Sequence, residues 1–433
     1  MIKVCDAIMG SGKTQAAITF MNEHPERKFV YITPYISEGE RVSKACPALE
    51  MEQARKLPEY QYSVLQHAKH LLHQGQNFSS THAAYHYYDQ EMLDDIRKYE
   101  YTLIVDEDLE TFVQDVVFLD DVRICESGDY IYKDGETYAL TEKGDSYQDG
   151  NLRELFGQIG NQNFTPVGES FGSRGQKRKY LYWTLQTEML KAFSEVIIMT
   201  YMFEASDMWR LLQMNQLPYE NIYVRKDETG YRFTDHLEYI PGYVKNIRDM
   251  IHVTEHKKLN AIGDRKNSLS SGWYKRHSDK YEQLRRNMTN FCRNIHHAPT
   301  DHVLWSSFGI DRDESGKNKK NSIPAQIQAK GFLERNIAFN IKATNKYKDC
   351  DTLAYLVNLF ENPYKVNYFA EKGIRCDNDD YALTNMVQWI WRSAIRDGHE
   401  IWIYIPSKRM RTLLYEWMDR IVAEYDALYN EAA

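Results

Sequence analysis

The sequence predicts an α/β protein built on parallel β-sheets, and three observations support this. Near the amino end, residues 3–7 are typical of a short strand, residues 7–14 (AIMGSGKT) of a glycine-rich turn, and residues 13–22 of a helix. Segments with strand and helix patterns alternate through both halves of the 433-residue chain. A further apolar segment, residues 101–105, ends in the acidic pair Asp106–Glu107. In a parallel sheet such strand ends meet at one edge, where ligands bind.

The composition indicates a cytoplasmic protein of two or three domains. No apolar run is long enough to span a bilayer, and the six cysteines are scattered without a C-x-x-C pair. That cysteine usage is typical of reduced thiols rather than a disulfide framework or a zinc module. The net charge of −8 provides no global basic field for nucleic acid. It does not exclude a protein that grips a strand through local cations and backbone N–H groups.

The turn at residues 7–14 fits the phosphate-loop pattern [A/G]-x-x-x-x-G-K-[S/T]. Gly10 and Gly12 allow a tight turn in which backbone N–H groups, including that of Ser11, face phosphate oxygens. Lys13 brings a cation to the terminal phosphates, and Thr14 offers a hydroxyl to Mg²⁺. The helix that follows adds its N-terminal dipole.

The acidic pair predicts the second half of a nucleotide site. Asp106 can hold the Mg²⁺ that Thr14 contacts, and Glu107 can orient or deprotonate an attacking water. An acidic pair that ends a strand is more often a helix cap or a solvated turn. Its position after a phosphate loop favours the functional interpretation.

In the first half, β-branched and aromatic runs predict strands, and amphipathic runs predict helices. Thr33–Pro34 ends the second strand, and Ser37 is the expected N-cap of the next helix. Thr200 follows the last strand and is expected beside the acidic pair. The predicted strands are 3–7, 28–32, 77–80, 101–105 and 195–199, and the predicted helices are 13–22, 37–46, 61–74, 90–99 and 183–193.

The domain boundary is predicted at residues 209–234, which carry Pro218 and a turn at 227–230. Domain 1 then covers residues 1–208, with a small β-rich insertion at about 122–180, and domain 2 covers residues 235–433. The second half also alternates strands and helices but has no phosphate loop of its own. Its predicted strands are 302–306, 337–341 and 400–405, and its predicted helices are 279–295, 352–360, 382–396 and 407–428, the last capped by Ser407.

Near the carboxyl end, Gln388, Arg392 and Arg396 are spaced four residues apart, which places them on one face of the predicted helix. A guanidinium is suited to charge that develops on a transferring phosphoryl group. Surface salt bridges to nearby aspartates, namely Asp377, Asp379 and Asp380, are the simpler explanation for these arginines alone. Together with the phosphate loop and the acidic pair, arginine fingers at an interdomain site are the better interpretation.

The motifs in this order resemble superfamily 2 (DEAD/DEAH-like) helicases, and in detail DNA helicases encoded by bacteriophages. The similar segments cover most of the chain except the insertion: AIMGSGKT, YITP, SSTH, VDED, MTYMF, LWSSF, KATN and QWIWRSAIRDG. The resemblance implies two tandem RecA-like domains. It further implies that Gln388 senses the γ-phosphate and that Thr200 and Tyr201 couple hydrolysis to movement. The nucleic-acid contacts that it implies are Thr33, Pro34, Thr81, His82, Trp305 and Thr344.

The chain also departs from the helicase pattern. The second motif is DEDL, so Asp106 and Glu107 correspond to the family's residues but Asp108 and Leu109 do not. In the sixth motif Trp391 replaces a glycine and the arginines are four apart, so Arg392 corresponds more closely than Arg396. The phosphate loop starts so near Met1 that no upstream glutamine motif for adenine is expected.

The expected function is therefore an NTP-dependent helicase or translocase that uses ATP or another NTP with Mg²⁺. Its expected substrate is single-stranded DNA or a DNA junction, in phage replication or recombination in the host cytoplasm, with proteins of those processes as partners. A packaging motor of the terminase type shares the phosphate loop and the acidic pair and remains an alternative. So does a nucleotide-gated nucleic-acid-binding module that unwinds nothing.

Overall fold

The computed structural model describes residues 1–135, 137–147, 150–171, 178–312, 318–319, 321–340 and 346–430. The chain divides into two compact units. Unit 1 comprises Met1–Ala7, Gly12–Leu237 and Asn362–Cys376, and unit 2 comprises Ile8–Ser11, Glu238–Glu361 and Asp377–Ala433.

The strands, in chain order, are β1 Ile2–Asp6, β2 Phe29–Thr33, β3 Glu52–Gln53, β4 Phe78–Thr81, β5 Thr102–Asp106, β6 Phe112–Phe118, β7 Ile131–Asp134, β8 Thr137–Leu140, β9 Phe164–Phe171, β10 Arg178–Leu185, β11 Glu195–Thr200, β12 Glu220–Asn221, β13 Tyr223–Asp227, β14 Gly230–Thr234, β15 Ile251–Val253, β16 Val303–Ser307, β17 Thr352–Leu356 and β18 Ile401–Tyr404.

The α-helices are α1 Lys13–Glu23, α2 Ile36–Ala45, α3 Val64–His73, α4 His82–Tyr85, α5 Gln90–Lys98, α6 Leu119–Ser127, α7 Glu142–Asp145, α8 Arg153–Gly160, α9 Glu188–Lys191, α10 Asp207–Met214, α11 Ile247–Met250, α12 Lys257–Asn260, α13 Ser271–Arg276, α14 Tyr281–Thr289, α15 Ile323–Ile327, α16 Pro363–Glu371, α17 Asn378–Ile390 and α18 Lys408–Asn430. A π-helix, Asn290–Ile295, continues α14.

Unit 1 is organised around a parallel sheet with the strand order β12-β1-β11-β5-β2-β4-β3. The inner strands β2, β5 and β11 are buried along their whole length, because helices cover both faces of such a sheet. The sheet order differs from the chain order, so the connections cross over the sheet through helices. The predicted α/β class with a parallel sheet is confirmed.

The insertion between β5 and β11 contains helices as well as strands. An antiparallel sheet of order β6-β10-β9 and the hairpin β7–β8 lie beside the helices α6, α7 and α8. The strands agree with the predicted β insertion, whereas the helices were not predicted. The predicted helix 183–193 is largely wrong, since β10 runs to Leu185 and only Glu188–Lys191 is helical.

Unit 2 has its own parallel sheet, of order β15-β18-β17-β16. Side chains alternate between the two faces of a strand, so Ala354 and Leu356 point to one face and Tyr355 to the other. On the first face, Leu356 shares a buried cluster with Phe291 of the π-helix. On the second face, Tyr355 packs against Trp389 of α17, with ring centroids 5.1 Å apart. The π-helix and α17 therefore cover opposite faces of this sheet.

Two predictions in unit 2 are wrong because short apolar runs do not distinguish a strand from a helix. Residues 352–360, predicted as a helix, contain strand β17, which is completely buried. Residues 337–341, predicted as a strand, contain no strand over residues 337–340, and residue 341 lies outside the described residues. Strand β17 takes the place beside β16.

Unit 1 contains two segments that lie outside the predicted domain 1. The predicted linker, residues 209–234, contains the end of α10 and the hairpin β13–β14, which packs on α1. The segment Asn362–Cys376 also belongs to unit 1. Its helix α16 packs Tyr368 and Phe369 against Phe112 and pairs Lys365 with Asp207 at 2.6 Å.

Among the described residues, no helix combines the length and the apolar character needed to cross a membrane.

Candidate nucleotide-binding site

The carboxyl ends of five neighbouring strands form one edge of the unit 1 sheet, and most site residues predicted for the first half lie there. The strand register aligns Asp6 with Thr200 and Met199 with Asp106. It also aligns Thr33 with Thr81. Thr200 is thus next to the acidic pair, as expected from its place at a strand end. The sheet collects residues that are up to about 200 positions apart in sequence along a single edge.

The phosphate loop has the backbone that its glycines predict. Gly10 and Gly12 adopt left-handed conformations, with φ of 74° and 86°. Gly12 is the N-cap of α1, and a Cβ atom there would lie 2.2 Å from the ring of Tyr231 on β14. Both the dihedral angle and this close approach require glycine at position 12. Thr14 lies in the first turn of α1, and Ser11 is buried.

Lys13 connects the loop with the acidic pair electrostatically. Its ammonium group donates a hydrogen bond to the carbonyl oxygen of Ala7 at the end of β1. Burial lowers the pKa of Lys13, and the negative charges of Asp106 and Glu107 counteract that effect. Lys13 therefore lies within electrostatic range of both predicted carboxylates.

Asp106 is a buried carboxyl group with an unusual proton affinity. Burial, and then the neighbouring Glu107, raises its pKa to about 7. The hydroxyl of Tyr31 donates to Asp106 Oδ2 at 2.6 Å and opposes part of this rise. Tyr31 was not predicted as a site residue, because its only sequence signal was its position in a strand next to that of Asp106.

Glu107 follows the strand in a strained conformation. Its φ is 66°, a left-handed value that is uncommon for a residue other than glycine. Its backbone N–H donates to the carbonyl oxygen of Met199 on β11 at 3.0 Å, which holds the turn in place. Such strain is found at functional sites, where the surrounding structure maintains it.

Asp6 is a further residue of this edge that the sequence analysis missed. Its carboxylate accepts hydrogen bonds from the backbone N–H groups of Met202 at 2.7 Å and Phe203 at 2.8 Å. It thereby fixes the turn that contains Tyr201, immediately after Thr200. Asp6 carries the same signal as Asp106, an acidic residue that ends an apolar strand.

The tip of the loop, Ile8–Ser11, clusters with unit 2. The hydroxyl of Tyr243 donates to the carbonyl oxygen of Met9 at 2.5 Å. The ring of Tyr243 also packs against Trp391, with centroids 5.3 Å apart. Trp391 directly precedes Arg392, so Tyr243 contacts both the loop tip and the residue next to the predicted arginine finger.

Gln388, Arg392 and Arg396 do not lie on one helical face, contrary to the prediction. Helix α17 ends at Ile390, so Gln388 is on the helix, whereas Arg392 lies in the turn that follows. Arg396 lies in a separate 3₁₀ helix, Ala394–Asp397, and is exposed, while Arg392 is buried. The prediction failed because a helical spacing was extended beyond the residue at which the helix ends.

Two of the aspartates weighed as partners for those arginines make other contacts. Asp377 caps α17 by accepting hydrogen bonds from the N–H groups of Asp379 and Asp380. Asp379 pairs with Arg409 at 2.6 Å.

The residues expected to contact nucleic acid differ in accessibility. Thr33 and His82 are buried, Pro34 is partly buried, and Thr81 caps α4 by accepting from the N–H of Ala84. These four lie at or directly after the carboxyl ends of β2 and β4.

The two predicted nucleic-acid contacts in the second half are Trp305 and Thr344. Trp305 is completely buried, and its indole N–H donates to the carbonyl oxygen of Phe332 at 2.6 Å. Its ring is therefore part of the core and is not available to stack on a base. Thr344 lies outside the described residues.

Fold and site together define an α/β protein with a phosphate-loop strand, an acidic strand end and a second parallel sheet. Residues 245–418 match the family described as the YonV C-terminal Rossmann-like domain. The chain is 33% identical over 428 residues to the SPbeta prophage-derived uncharacterized protein YonV of Bacillus subtilis strain 168, covering 96% of this chain and 98% of that protein. The chain belongs to the YonV family.

Two solved structures are also similar to this chain at low sequence identity. The structure of Xpd4 from S. tokodaii covers 96% of this chain and 94% of its own, with 10% identity and a TM-score of 0.45. A hypothetical ATP-dependent RNA helicase from Sulfolobus tokodaii covers 97% and 90%, with 11% identity and a TM-score of 0.26.

Proposed function

We propose that the chain is an NTP-hydrolysing motor, with ATP as the expected nucleotide, that acts as a helicase or translocase on nucleic acid. The observation that carries this proposal is the carboxyl edge of the unit 1 sheet. There a phosphate loop follows β1, and the buried Asp106 that ends β5 and the partly buried Glu107 after it lie within electrostatic range of the loop's lysine, Lys13. Nucleotide hydrolysis at a phosphate loop uses a phosphate cradle, a carboxylate for the metal and a residue that orients the water.

The residues at this edge fit a magnesium–nucleotide complex. Asp106 and Glu107 concentrate negative charge in a buried place, which the raised pKa of Asp106 reflects. Oxygen ligands of this kind suit Mg²⁺, and the Thr14 hydroxyl in the first turn of α1 adds a neutral oxygen. When bound, the metal would neutralise charge on the phosphates. We therefore assign Thr14 and Asp106 to the metal, and Gly10, Ser11, Gly12 and Lys13 to the phosphates.

The remaining residues of this edge would orient the attacking water and couple hydrolysis to movement. Glu107 orients the attacking water, and its strained backbone keeps the carboxylate in a defined position. Thr200 and Tyr201 would couple the nucleotide state to movement, and Asp6 holds the turn that contains Tyr201. Hinge motion driven by the nucleotide is the usual output of such a site.

The second half of the site stays a prediction. Gln388 and Arg392, with Arg396 in a secondary role, are assigned to the γ-phosphate and to transition-state charge. Arg392 fits the role of a held guanidinium better than the exposed Arg396, because it is buried in a tight turn.

The nucleic acid is proposed to be single-stranded DNA or a DNA junction. The prophage-derived relative supports a phage origin, and a role in phage DNA replication or recombination, with proteins of those processes as partners, is proposed on that basis. The proposed contacts are Pro34 and Thr81 in the first half, together with Thr344, while the buried Thr33 and His82 would hold these neighbours in position. Trp305 would support this surface only through packing.

The test is NTP hydrolysis by the full chain with Mg²⁺, alone and with single-stranded DNA, duplex DNA or RNA, followed by strand displacement. We expect hydrolysis that one nucleic acid stimulates, and displacement of a duplex. Hydrolysis without displacement would favour a nucleotide-gated binding module, and metal-dependent nicking of plasmid DNA would favour a packaging motor. A chain that hydrolyses no NTP under any of these conditions would refute the proposal.

A further inference from the structure

Unit 2 carries a basic groove that has no part in the site described above. The groove has a volume of about 950 Å³ and follows the outer side of α14 and the π-helix. Its cations are Arg285, Arg286, Arg293 and Lys330, and its carboxylate is Glu282. We call these five residues, with the polar residues between them, the basic groove.

The basic groove lies on a different face of the unit 2 sheet from the predicted arginine fingers. The inner side of α14 and the π-helix packs through Leu284 and Phe291 in the cluster that includes Leu356. Helix α17, which leads to Arg392, packs on the other face through Trp389 and Tyr355. The groove is therefore a separate surface of this unit.

The side chains of the groove have a net positive charge in a chain of net charge −8. Four cations and one carboxylate leave a local charge of +3. Glu282 accepts hydrogen bonds from both Arg285 and Arg286, which holds the two guanidinium groups together. A groove lined by one sign of charge focuses the electric field and attracts ions of the opposite charge, here anions.

One cation of the groove is held rigidly. Arg293 donates to the carbonyl oxygen of Lys330 at 2.5 Å and lies over the ring of Phe332, 4.8 Å from the ring centroid. These contacts bring Lys330, which is exposed and comes from a different segment, to the end of the π-helix. Fixed donors lose less entropy when they bind an anion than flexible ones do.

The polar residues between the cations fit phosphate groups. Thr289, Asn290 and Asn294 line the groove, and hydroxyl and amide donors of this kind commonly contact phosphate oxygens alongside Arg and Lys. From Glu282 to Asn294 the helical axis advances about 18 Å, at roughly 1.5 Å per residue. That length spans several successive phosphates of a nucleic acid strand. The π-helix widens the last turn of this surface, a feature common at functional sites.

We propose that the basic groove binds the phosphodiester backbone of nucleic acid as a second contact, independent of the nucleotide. This inference rests on the proposed function, because it assumes that nucleic acid is the partner. The contacts are to phosphates, so the binding is insensitive to base sequence and weakens steeply with salt.

The test uses the full chain without NTP and with EDTA, and measures fluorescence anisotropy of labelled single-stranded and duplex DNA over a range of salt concentrations. The variant is the double substitution Arg286→Gln and Lys330→Gln. Both side chains are exposed, so the fold should be preserved. The matched control is Lys257→Gln with Lys258→Gln, which removes the same charge from exposed positions on α12.

We expect the groove variant to bind one of the two DNAs on the order of ten-fold more weakly at moderate salt, while the control binds like the wild type. The slope of log K against log salt should fall by about 1.8 for duplex or about 1.4 for single-stranded DNA, the values for two lost phosphate contacts. The DNA that shows this change identifies the form that the groove binds. NTP hydrolysis in the absence of DNA should not change.

Three outcomes would overturn the inference. If the groove variant binds both DNAs with the affinity and salt slope of the wild type, the groove serves another purpose, and the proposed function is unaffected. If the control variant weakens binding equally, the effect is one of net charge and not of the groove. If the wild type binds no nucleic acid, both the groove assignment and the proposed nucleic-acid function fail.

Discussion

The amino edge of the unit 1 sheet, where its strands begin, and the carboxyl edge, where they end, each contain a buried carboxyl group, but in opposite electrostatic environments. At the amino edge, Glu195 begins β11 and forms ion pairs with Lys3 at 2.5 Å and Arg27 at 2.6 Å. At the carboxyl edge, Asp106 ends β5 beside another carboxylate and accepts a hydrogen bond from the neutral Tyr31. The first arrangement neutralises charge, and the second concentrates it.

The pKa values follow from this difference. Burial alone would raise the pKa of Glu195, but the ion pairs with Lys3 and Arg27 outweigh it and lower that pKa. Burial, and after it the like charge of Glu107, raises the pKa of Asp106 to about 7, and the Tyr31 hydrogen bond and the charge of Lys13 do not offset that rise. The amino edge is therefore arranged for stability. The carboxyl edge concentrates negative charge at a cost in stability, which is the arrangement that the proposed metal site requires.

The sharpest test of the carboxyl edge is loss of catalysis. Lys13→Ala or Glu107→Gln should reduce NTP hydrolysis at least about 100-fold, because each removes charge stabilisation or water activation that no neighbour replaces. Circular dichroism should show an intact fold. The control Lys44→Ala makes the same chemical change at an exposed position of α2 and should hydrolyse NTP normally. Hydrolysis at the wild-type rate by either site variant, with nucleic acid present, would show that the site is assigned incorrectly.

Asp106→Asn should stabilise the nucleotide-free protein at high pH. The folded-state pKa of Asp106, about 7, lies above its ordinary value, so folding favours the protonated form. That favourable contribution is complete below about pH 4 and is lost as the pH rises through 7. The neutral Asn side chain does not lose this contribution as the pH rises. The free energy of unfolding of the variant should therefore exceed that of the wild type by up to about 4 kcal/mol at pH 8 or above, since each unit of pKa shift corresponds to roughly 1.4 kcal/mol. Melting curves in EDTA at pH 4 to 9 measure it, and a gain that does not change with pH would contradict the assignment.

Glu195→Gln should destabilise the protein, which is the opposite of the effect of Asp106→Asn, and by a smaller free energy. The lowered pKa of Glu195 means that its ion pairs stabilise the fold above the ordinary glutamate pKa and are lost as the pH falls through the folded value. The variant should lose about 1–2 kcal/mol at neutral pH, since Lys3 and Arg27 are partly exposed and can be solvated. The loss should disappear in acid. A variant as stable as the wild type at pH 7 would mean that the amino edge does not depend on this carboxylate.

Tyr31→Phe provides the smallest and most local test. It removes the hydroxyl that donates to Asp106 and leaves the buried ring in place. Above pH 7, where Asp106 is charged, the free energy of unfolding of the variant should fall by about 1.5 kcal/mol, the lower end of the usual contribution of a hydrogen bond to a charged group. Below pH 5 the loss should be smaller, because the neutral carboxyl accepts a weaker bond. The same melting curves measure it, and an equal loss at both pH values would show that Tyr31 acts only through packing.

Strand ends and loop chemistry were predictable from the sequence to different extents. Asp106 and Thr200 were predicted correctly as neighbours, because parallel strands bring their carboxyl ends together. Trp305 was assigned to nucleic acid but is a core residue, since an aromatic side chain in a short strand gives no sign of which face it occupies. The arginine spacing was extrapolated past Ile390, where the helix ends.

The sequence by itself determined the phosphate loop, the acidic strand end and the α/β class, because each depends on local chemistry. Glycines that must adopt a positive φ, a lysine before the helix, and carboxylates after an apolar run are readable at short range. Only the tertiary structure decided which groups surround those residues. Tyr31 on Asp106, Asp6 on the turn at Met202, and Lys330 beside Arg293 are contacts between distant segments. The charge balance of a buried group depends on such long-range neighbours, which no local pattern in the chain specifies.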